Sequence, residues 1–229
     1  MSRRHLAWLG AVAFALVAAC VRRETAGPAT GSPAVPLEPR GTETAEARVA
    51  GSPRRFPNPE LVDQDGRTVR FYDDLVRGRV VMVNFGYTQC AGVCPRATAQ
   101  LMAVQHLLGD RFGRDFTLLT LSLDPEHDTP EAMRRYLLAH GAKPGWTWLT
   151  GRREDIEAIR RFVGFTDRDP QLDADRTRHT TLVLLGNDRT GRWSSVPALI
   201  KPEQIVEALL RTAGERPAAA VAMQGACLP

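Results

Sequence analysis

The chain has 229 residues, 43% of them hydrophobic and 24% charged, ordinary globular usage that excludes a collagenous or wholly disordered protein. Its 30 basic and 26 acidic residues leave a formal charge of +4, too even a balance for a dedicated nucleic-acid binder. Four cysteines are too few to staple a miniprotein, so those that matter do so through their chemistry.

Arg3 and Arg4 precede an apolar run of 14 residues from Leu6 to Ala19, which ends at Cys20. The run is shorter than the roughly 20 residues a membrane-spanning helix needs. A charged start, a short apolar core and small residues before a boundary describe an export signal. Leu16-Val17-Ala18-Ala19-Cys20 resembles a bacterial lipobox, in which the cysteine becomes the lipidated first residue. An uncleaved anchor is the alternative. Both tie the remainder to a membrane outside the cytoplasm, facing the periplasm or the cell exterior. Loss of Arg3 and Arg4 would leave 28 basic against 26 acidic residues. Residues 21–55 hold five prolines, four glycines and no aromatic residue, a composition that cannot offset the entropy of ordering. This stretch is expected to be a tether, and its 35 residues span about 30–35 Å as a flexible coil.

The folded domain is expected over residues 56–213, with residues 214–229 as a tail. Leu61-Val62 and Thr68 to Phe71 flank Asp65-Gly66, a hairpin signal. Val80 to Phe85 is a continuous, β-branched-rich apolar run, as a strand buried on both faces requires. A helix is predicted from Pro95 to about Gly109, because proline's fixed φ suits the first helical position. Phe116 to Leu123 is predicted as a second buried strand. Thr129 caps a helix that starts at Pro130 and ends at Gly141. Trp146 to Leu149 forms a short strand. Ile156, Ile159 and Val163 carry helical spacing, closed by Gly164. Thr181 to Leu185 and Arg192 to Val196 are strands joined by a turn, and a last helix runs from Pro202 to about Thr212. Alternating strands and helices, preceded by a hairpin, predict an α/β sandwich around a mixed central sheet flanked by helices. A thioredoxin-like fold is compatible with this pattern, and periodicity alone also permits a flavodoxin-like sheet.

The informative segment is Phe85-Gly86-Tyr87-Thr88-Gln89-Cys90-Ala91-Gly92-Val93-Cys94-Pro95. It joins a buried strand to a helix at the strand's carboxyl end, where open α/β sheets place their ligand sites. Cys94, beside the helix start, is expected to favour thiolate through the helix dipole. Four-residue spacing lets Cys90 and Cys94 share one metal ion or, with modest adjustment, form a disulfide. A bare CxxxC pattern also fits two inert buried cysteines.

This segment resembles the copper-site loop of the SCO/SenC family, membrane-tethered proteins that assist cytochrome c oxidase assembly. The likeness continues through Ser122-Leu123-Asp124-Pro125-Glu126-His127-Asp128-Thr129-Pro130, the tryptophan-containing stretch Trp146 to Gly151, and His179, and covers about Pro57 to Ala213. It departs from the family at Ala91-Gly92, where Pro-Asp is common, at Arg178, where aspartate is common, and in the turn Gly186 to Gly191. The resemblance implies a thioredoxin-like fold and one copper held by Cys90, Cys94 and His179. It also implies delivery of that copper to the dinuclear centre of an oxidase subunit, or exchange with another copper chaperone. Two thiolates and an imidazole form a soft ligand set suited to Cu(I) and able to hold zinc. Asp124 is expected to orient a ligand or the cysteine loop, and His127 is the rival ligand. Asp173 and Asp175 are expected in a solvated loop, and Cys227 in a tail as an incidental thiol. The alternative function is an extracytoplasmic thiol–disulfide oxidoreductase that uses Cys90 and Cys94 as a redox pair. A peroxidase that uses one cysteine is a weaker alternative.

Overall fold

A computed structural model describes residues 56–175 and 181–216. The expected export segment and tether, and all but the start of the expected tail, lie outside these residues, as do Cys20, His179 and Cys227.

The strands and helices follow the hydrophobic pattern closely. The hairpin is β1 (Glu60–Asp63) and β2 (Thr68–Arg70), antiparallel, with Leu61 opposite Val69. Asp63 closes its turn by accepting the backbone N–H groups of Asp65 and Arg67, both at 2.8 Å. Then come β3 (Val80–Gly86), α1 (Cys94–Leu108), β4 (Phe116–Ser122), α2 (Pro130–Ala139), β5 (Trp146–Thr150) and α3 (Arg153–Val163). A short α4 (Pro170–Ala174) precedes β6 (Leu182–Asn187), β7 (Arg192–Pro197) and α5 (Pro202–Ala213).

All seven strands form one sheet in the order β2-β1-β5-β4-β3-β6-β7. β3, β4 and β5 run parallel, while β1 pairs antiparallel with β5 and β6 antiparallel with β3. The antiparallel β6 rules out the all-parallel flavodoxin-like sheet that periodicity permitted.

Because β3 and β4 are central, both of their faces are buried, and alternate residues feed two separate cores. Val80, Met82 and Leu118 pack with Ala97, Leu101 and Val104 of α1, Met133 of α2, and Ile205 and Leu209 of α5. Val81, Val83, Phe85, Leu119 and Leu121 pack on the other face with Ile156, Ile159 and Val163 of α3. This arrangement explains why Val80 to Phe85 reads as an unbroken apolar run rather than an alternating one. Asn84 interrupts it on the α1 face, where its Oδ1 accepts from Thr120 Oγ1 at 2.8 Å. Thr120 Oγ1 in turn accepts from Trp146 Nε1 at 2.9 Å, so the buried polar atoms satisfy one another.

Two local elements depart from the sequence reading. Phe71–Val76 forms a π-helical turn that buries Phe71 and Val76 beneath the sheet edge. Within the loop after Gly164, Asp169 caps α4 by accepting the Gln171 N–H at 2.9 Å. Asp173 is therefore not a solvated loop residue. Its two carboxylate oxygens hold Arg160 Nη1 and Nη2 at 2.7 and 2.6 Å, and Arg160 itself is buried in α3. Among the described residues, no helix is long and apolar enough to cross a membrane.

Candidate metal centre

The loop from Tyr87 to Val93 leaves the carboxyl end of β3 and delivers the chain into α1. A hydrogen bond between Leu123 N and Gly86 O, 2.9 Å, ties the ends of β4 and β3 together beneath this loop. Within it, Cys90 N donates to Tyr87 O at 3.3 Å and closes a turn that brings Cys90 back over the helix start. The helix begins one residue earlier than expected: Val93 is the N-cap, Cys94 the first helical residue and Pro95 the second. Pro95 costs nothing there, because the first helical N–H groups have no partner within the helix.

Both cysteines are free thiols and both are buried, at 8% exposure for Cys90 and 5% for Cys94. The sequence reading assigned the acidic thiol to Cys94, and the structure reverses that assignment. Burial, and after it a hydrogen bond to Cys90, pushes Cys94 up to about 12. Its place at the helix start does not overcome the loss of water. Burial also opposes ionisation of Cys90, but four donors outweigh it: the Cys94 thiol, the backbone N–H groups of Cys94 and Gly92, and the Tyr87 side chain. The net effect holds Cys90 below its ordinary value. Cys90 is thus the more acidic thiol of the pair, and Cys94 the donor that keeps its proton longer.

Behind Cys94 lies a cavity of about 20 Å³, room for about one water molecule, lined by Asn84, Thr98, Thr120, Trp148 and Thr181 as well as Cys94. Thr181, two residues after His179 in sequence and immediately before β6, shares this cavity with the cysteine. Thr98 Oγ1 and the hydroxyl of Tyr136, 3.0 Å apart, connect α1 to α2 beside it.

The remaining candidates fall on the loop after β4. Asp124 is buried, and its Oδ2 meets Nδ1 of His127 at 2.9 Å. Together with Glu126 these residues bring three ligand atoms within 4.8 Å of one another. Glu126 also meets Arg153 Nη2 at 2.9 Å. Sequence reasoning missed two residues of the site. Tyr87 carries no signal beyond its place in the loop. Asp128, four residues from the Asp124 that was singled out, is fully buried and bonds directly to the cysteine loop through Thr88. His106 lies on the exposed side of α1, and His140 ends α2 with Nδ1 at 2.8 Å from Tyr136 O.

A sequence model of the SCO1/SenC family matches residues 51–214. The chain belongs to the SCO1/SenC family. Among relatives, SenC of Rhodobacter capsulatus is 28% identical over 188 residues, 79% of this chain and 80% of that protein. An SCO2-like protein of Rickettsia conorii is 28% identical over 141 residues, 58% of this chain and 64% of its own length. The chain therefore spans just under two thirds of that curated relative. Among solved structures, Bradyrhizobium japonicum ScoI with copper bound is 31% identical, with a TM-score of 0.53 over 67% of this chain and 96% of that one. The fold is thus the thioredoxin-like α/β fold of the SCO1/SenC proteins, as the sequence resemblance implied.

Proposed function

We propose that this SCO1/SenC protein binds one copper ion through Cys90, Cys94 and His179 and passes it to the copper-bearing subunit of cytochrome c oxidase. The observation that carries the reading is the thiol pair itself: two free sulfurs in contact at the start of α1, one already acidified by four donors. Metal binding requires thiolates, and an arrangement that stabilises one thiolate at Cys90 lowers the cost of removing the first proton. Thiolate and imidazole are soft donors matched to Cu(I), and three protein ligands leave a position open for exchange with a partner. The copper-bound state of Bradyrhizobium ScoI supports the choice of metal. For His179 the support is its sequence position. Two residues of chain reach at most about 7 Å, and two residues after His179 stands Thr181, which lines the cavity beside Cys94. Copper is cargo in this reading, gained and then handed on.

We further propose that Cys20 carries a lipid anchor and that the domain works outside the cytoplasm. Palmitate labelling that disappears in Cys20→Ala tests this, and unchanged labelling would contradict it.

A second reading, thiol–disulfide exchange, is favoured by the unequal acidity of the two cysteines. The Cys90 thiolate would attack a substrate disulfide, forming a mixed disulfide and releasing one substrate thiolate. Cys94 would then give up its proton and attack Cys90 Sγ, which releases the second thiolate and leaves the pair oxidised. One preparation discriminates the two readings. The copper-loaded chain is mixed with a copper-free oxidase subunit while insulin reduction is assayed in parallel. Copper transfer with weak insulin reduction supports delivery. Strong insulin reduction that survives His179→Ala, without transfer, supports exchange.

A further inference from the structure

The loop that carries Cys90 is held by a side chain outside it. Asp128 is fully buried just before the N-cap of α2. Its Oδ1 accepts the Thr88 N–H at 3.0 Å and the Thr88 hydroxyl at 2.6 Å, and its Oδ2 accepts the Ser122 hydroxyl at 2.5 Å. Ser122 Oγ in turn accepts the Asp124 N–H at 2.9 Å, and Asp128 N donates to Asp124 O at 2.9 Å. Thr88, two residues before Cys90, is thus fastened by both of its donors to a point on a different loop, which is itself locked to the end of β4.

We propose that Asp128 is a positioning residue for the Cys90–Cys94 pair: its carboxylate fixes Thr88 and so sets where Cys90 sits over Cys94. The inference deepens the reading that these two cysteines are the working pair, and it does not depend on which metal they hold. The chemistry of the acceptor explains the residue type. Three donors converge on one side chain, and only a carboxylate accepts all of them. An amide offers one oxygen, so Asn at this position would set its NH2 against either Thr88 or Ser122. Ser122 could accept from that NH2 only by turning its own hydrogen away from Asp128, which takes from the hydroxyl the acceptor it has now. The contact spans 40 residues of sequence, which is why it cannot be seen in the cysteine motif.

The test is the reduction potential of the Cys90–Cys94 pair, measured on the full chain against a glutathione redox buffer, with copper stoichiometry measured separately on the same variants. Disulfide formation depends on how firmly one sulfur is held against the other. Asp128→Asn is expected to lower the effective concentration of the pair about tenfold, which makes the potential about 30 mV less negative. Thr88→Val, which keeps the charge and the backbone donor, should move it less and in the same direction, and Thr88→Ser should restore it. The double variant should shift no further than Asp128→Asn alone. Leu209→Ala in the core of α5, a comparable loss of thermal stability remote from the loop, should leave the potential unmoved. A folded Asp128→Asn protein with the wild-type potential would overturn the proposal, as would an equal shift in Leu209→Ala. Should Asp128→Asn not fold, Thr88→Val decides: no shift overturns the proposal, and a shift reversed by Thr88→Ser supports it. Wild-type chain that binds no copper but shows these shifts would refute the metal reading and leave the positioning role standing.

Discussion

The Cys94 thiol donates a hydrogen bond to the sulfur of Cys90, and that contact, with the heavier desolvation of Cys94 and the further donors to Cys90, makes the two cysteines chemically unequal. A proton shared along one line of atoms stabilises the thiolate at the acceptor and the thiol at the donor. Iodoacetamide at neutral pH should therefore modify Cys90 first, with Cys94 unmodified in the folded, reduced chain. Peptide mass mapping after a short pulse checks this. Equal labelling, or Cys94 labelled first, would contradict the assigned order.

The same inequality shows in stability at alkaline pH. Cys94 stays neutral in the fold up to about 12, while in the unfolded chain it ionises near 9. Its contribution is therefore fully present below the unfolded value and is lost as pH rises from there toward the folded value. Cys90 works in the opposite sense. Held below its ordinary value, it adds stability above the unfolded value that is lost as pH falls. Urea unfolding of reduced protein over about pH 8.5–10.5 should show wild type losing stability faster than Cys94→Ala. Parallel curves would contradict the raised Cys94.

Arg160 is the buried cation of α3, and Asp173 holds both of its terminal nitrogens. Asp173→Ala leaves that charge with Glu157, whose Oε2 accepts Arg160 Nε at 2.9 Å, and the Phe165 carbonyl, 3.0 Å from Nη1. The expected cost is roughly 2–3 kcal/mol, below that of a pair buried on both sides because those two partners remain. Asp173, held below the ordinary carboxylate range mainly by its hydrogen bond from Arg160, contributes stability above its unfolded value that is lost as pH falls. Chemical denaturation at neutral and acidic pH measures both. A variant as stable as wild type would show that α4 is not anchored this way.

Gly186 faces Trp193 across the β6–β7 pair, and a Cβ built on it would stand 1.9 Å from the indole ring. Gly186→Ala must push the ring, which packs against Phe56 with centroids 4.7 Å apart. The expected loss is about 1–3 kcal/mol, typical of an overpacked site. Thermal unfolding reads it as a fall of about 2–4 °C per kcal/mol. An unchanged Tm would mean that the indole moves freely.

What the sequence disclosed and what it hid divide along physical lines. Strands buried on both faces declare themselves, so Val80 to Phe85 and Phe116 to Leu123 were legible as central strands. Thr129-Pro130 and Gly164 carry their own local chemistry, and the structure has Thr129 Oγ1 accepting from Ala132 N at 3.3 Å and Gly164 left-handed at φ 77°. The family resemblance puts Gly186 in the turn after the strand, whereas it belongs to β6, where the Trp193 ring needs its missing side chain. The π-helical turn at Phe71–Val76 has no periodic signal in six residues. In the candidate site, the pairing of Cys90 with Cys94 followed from spacing. Their relative acidity did not, because it depends on which sulfur loses more water and which receives more donors. Asp128 escaped notice for a similar reason: its partners, Thr88 and Ser122, come from different strand ends that only the fold brings together.

The central claim is that two sulfurs and one imidazole of this chain hold a single copper. The most direct measurement is the copper-to-protein ratio of the reduced chain after equilibration with Cu(I) and removal of excess, beside Cys90→Ser, Cys94→Ser and His179→Ala. About one copper per wild-type chain is expected, with retention greatly lowered in each variant. Full occupancy in His179→Ala would contradict the three-ligand site, and no retention by the wild type would contradict copper binding altogether.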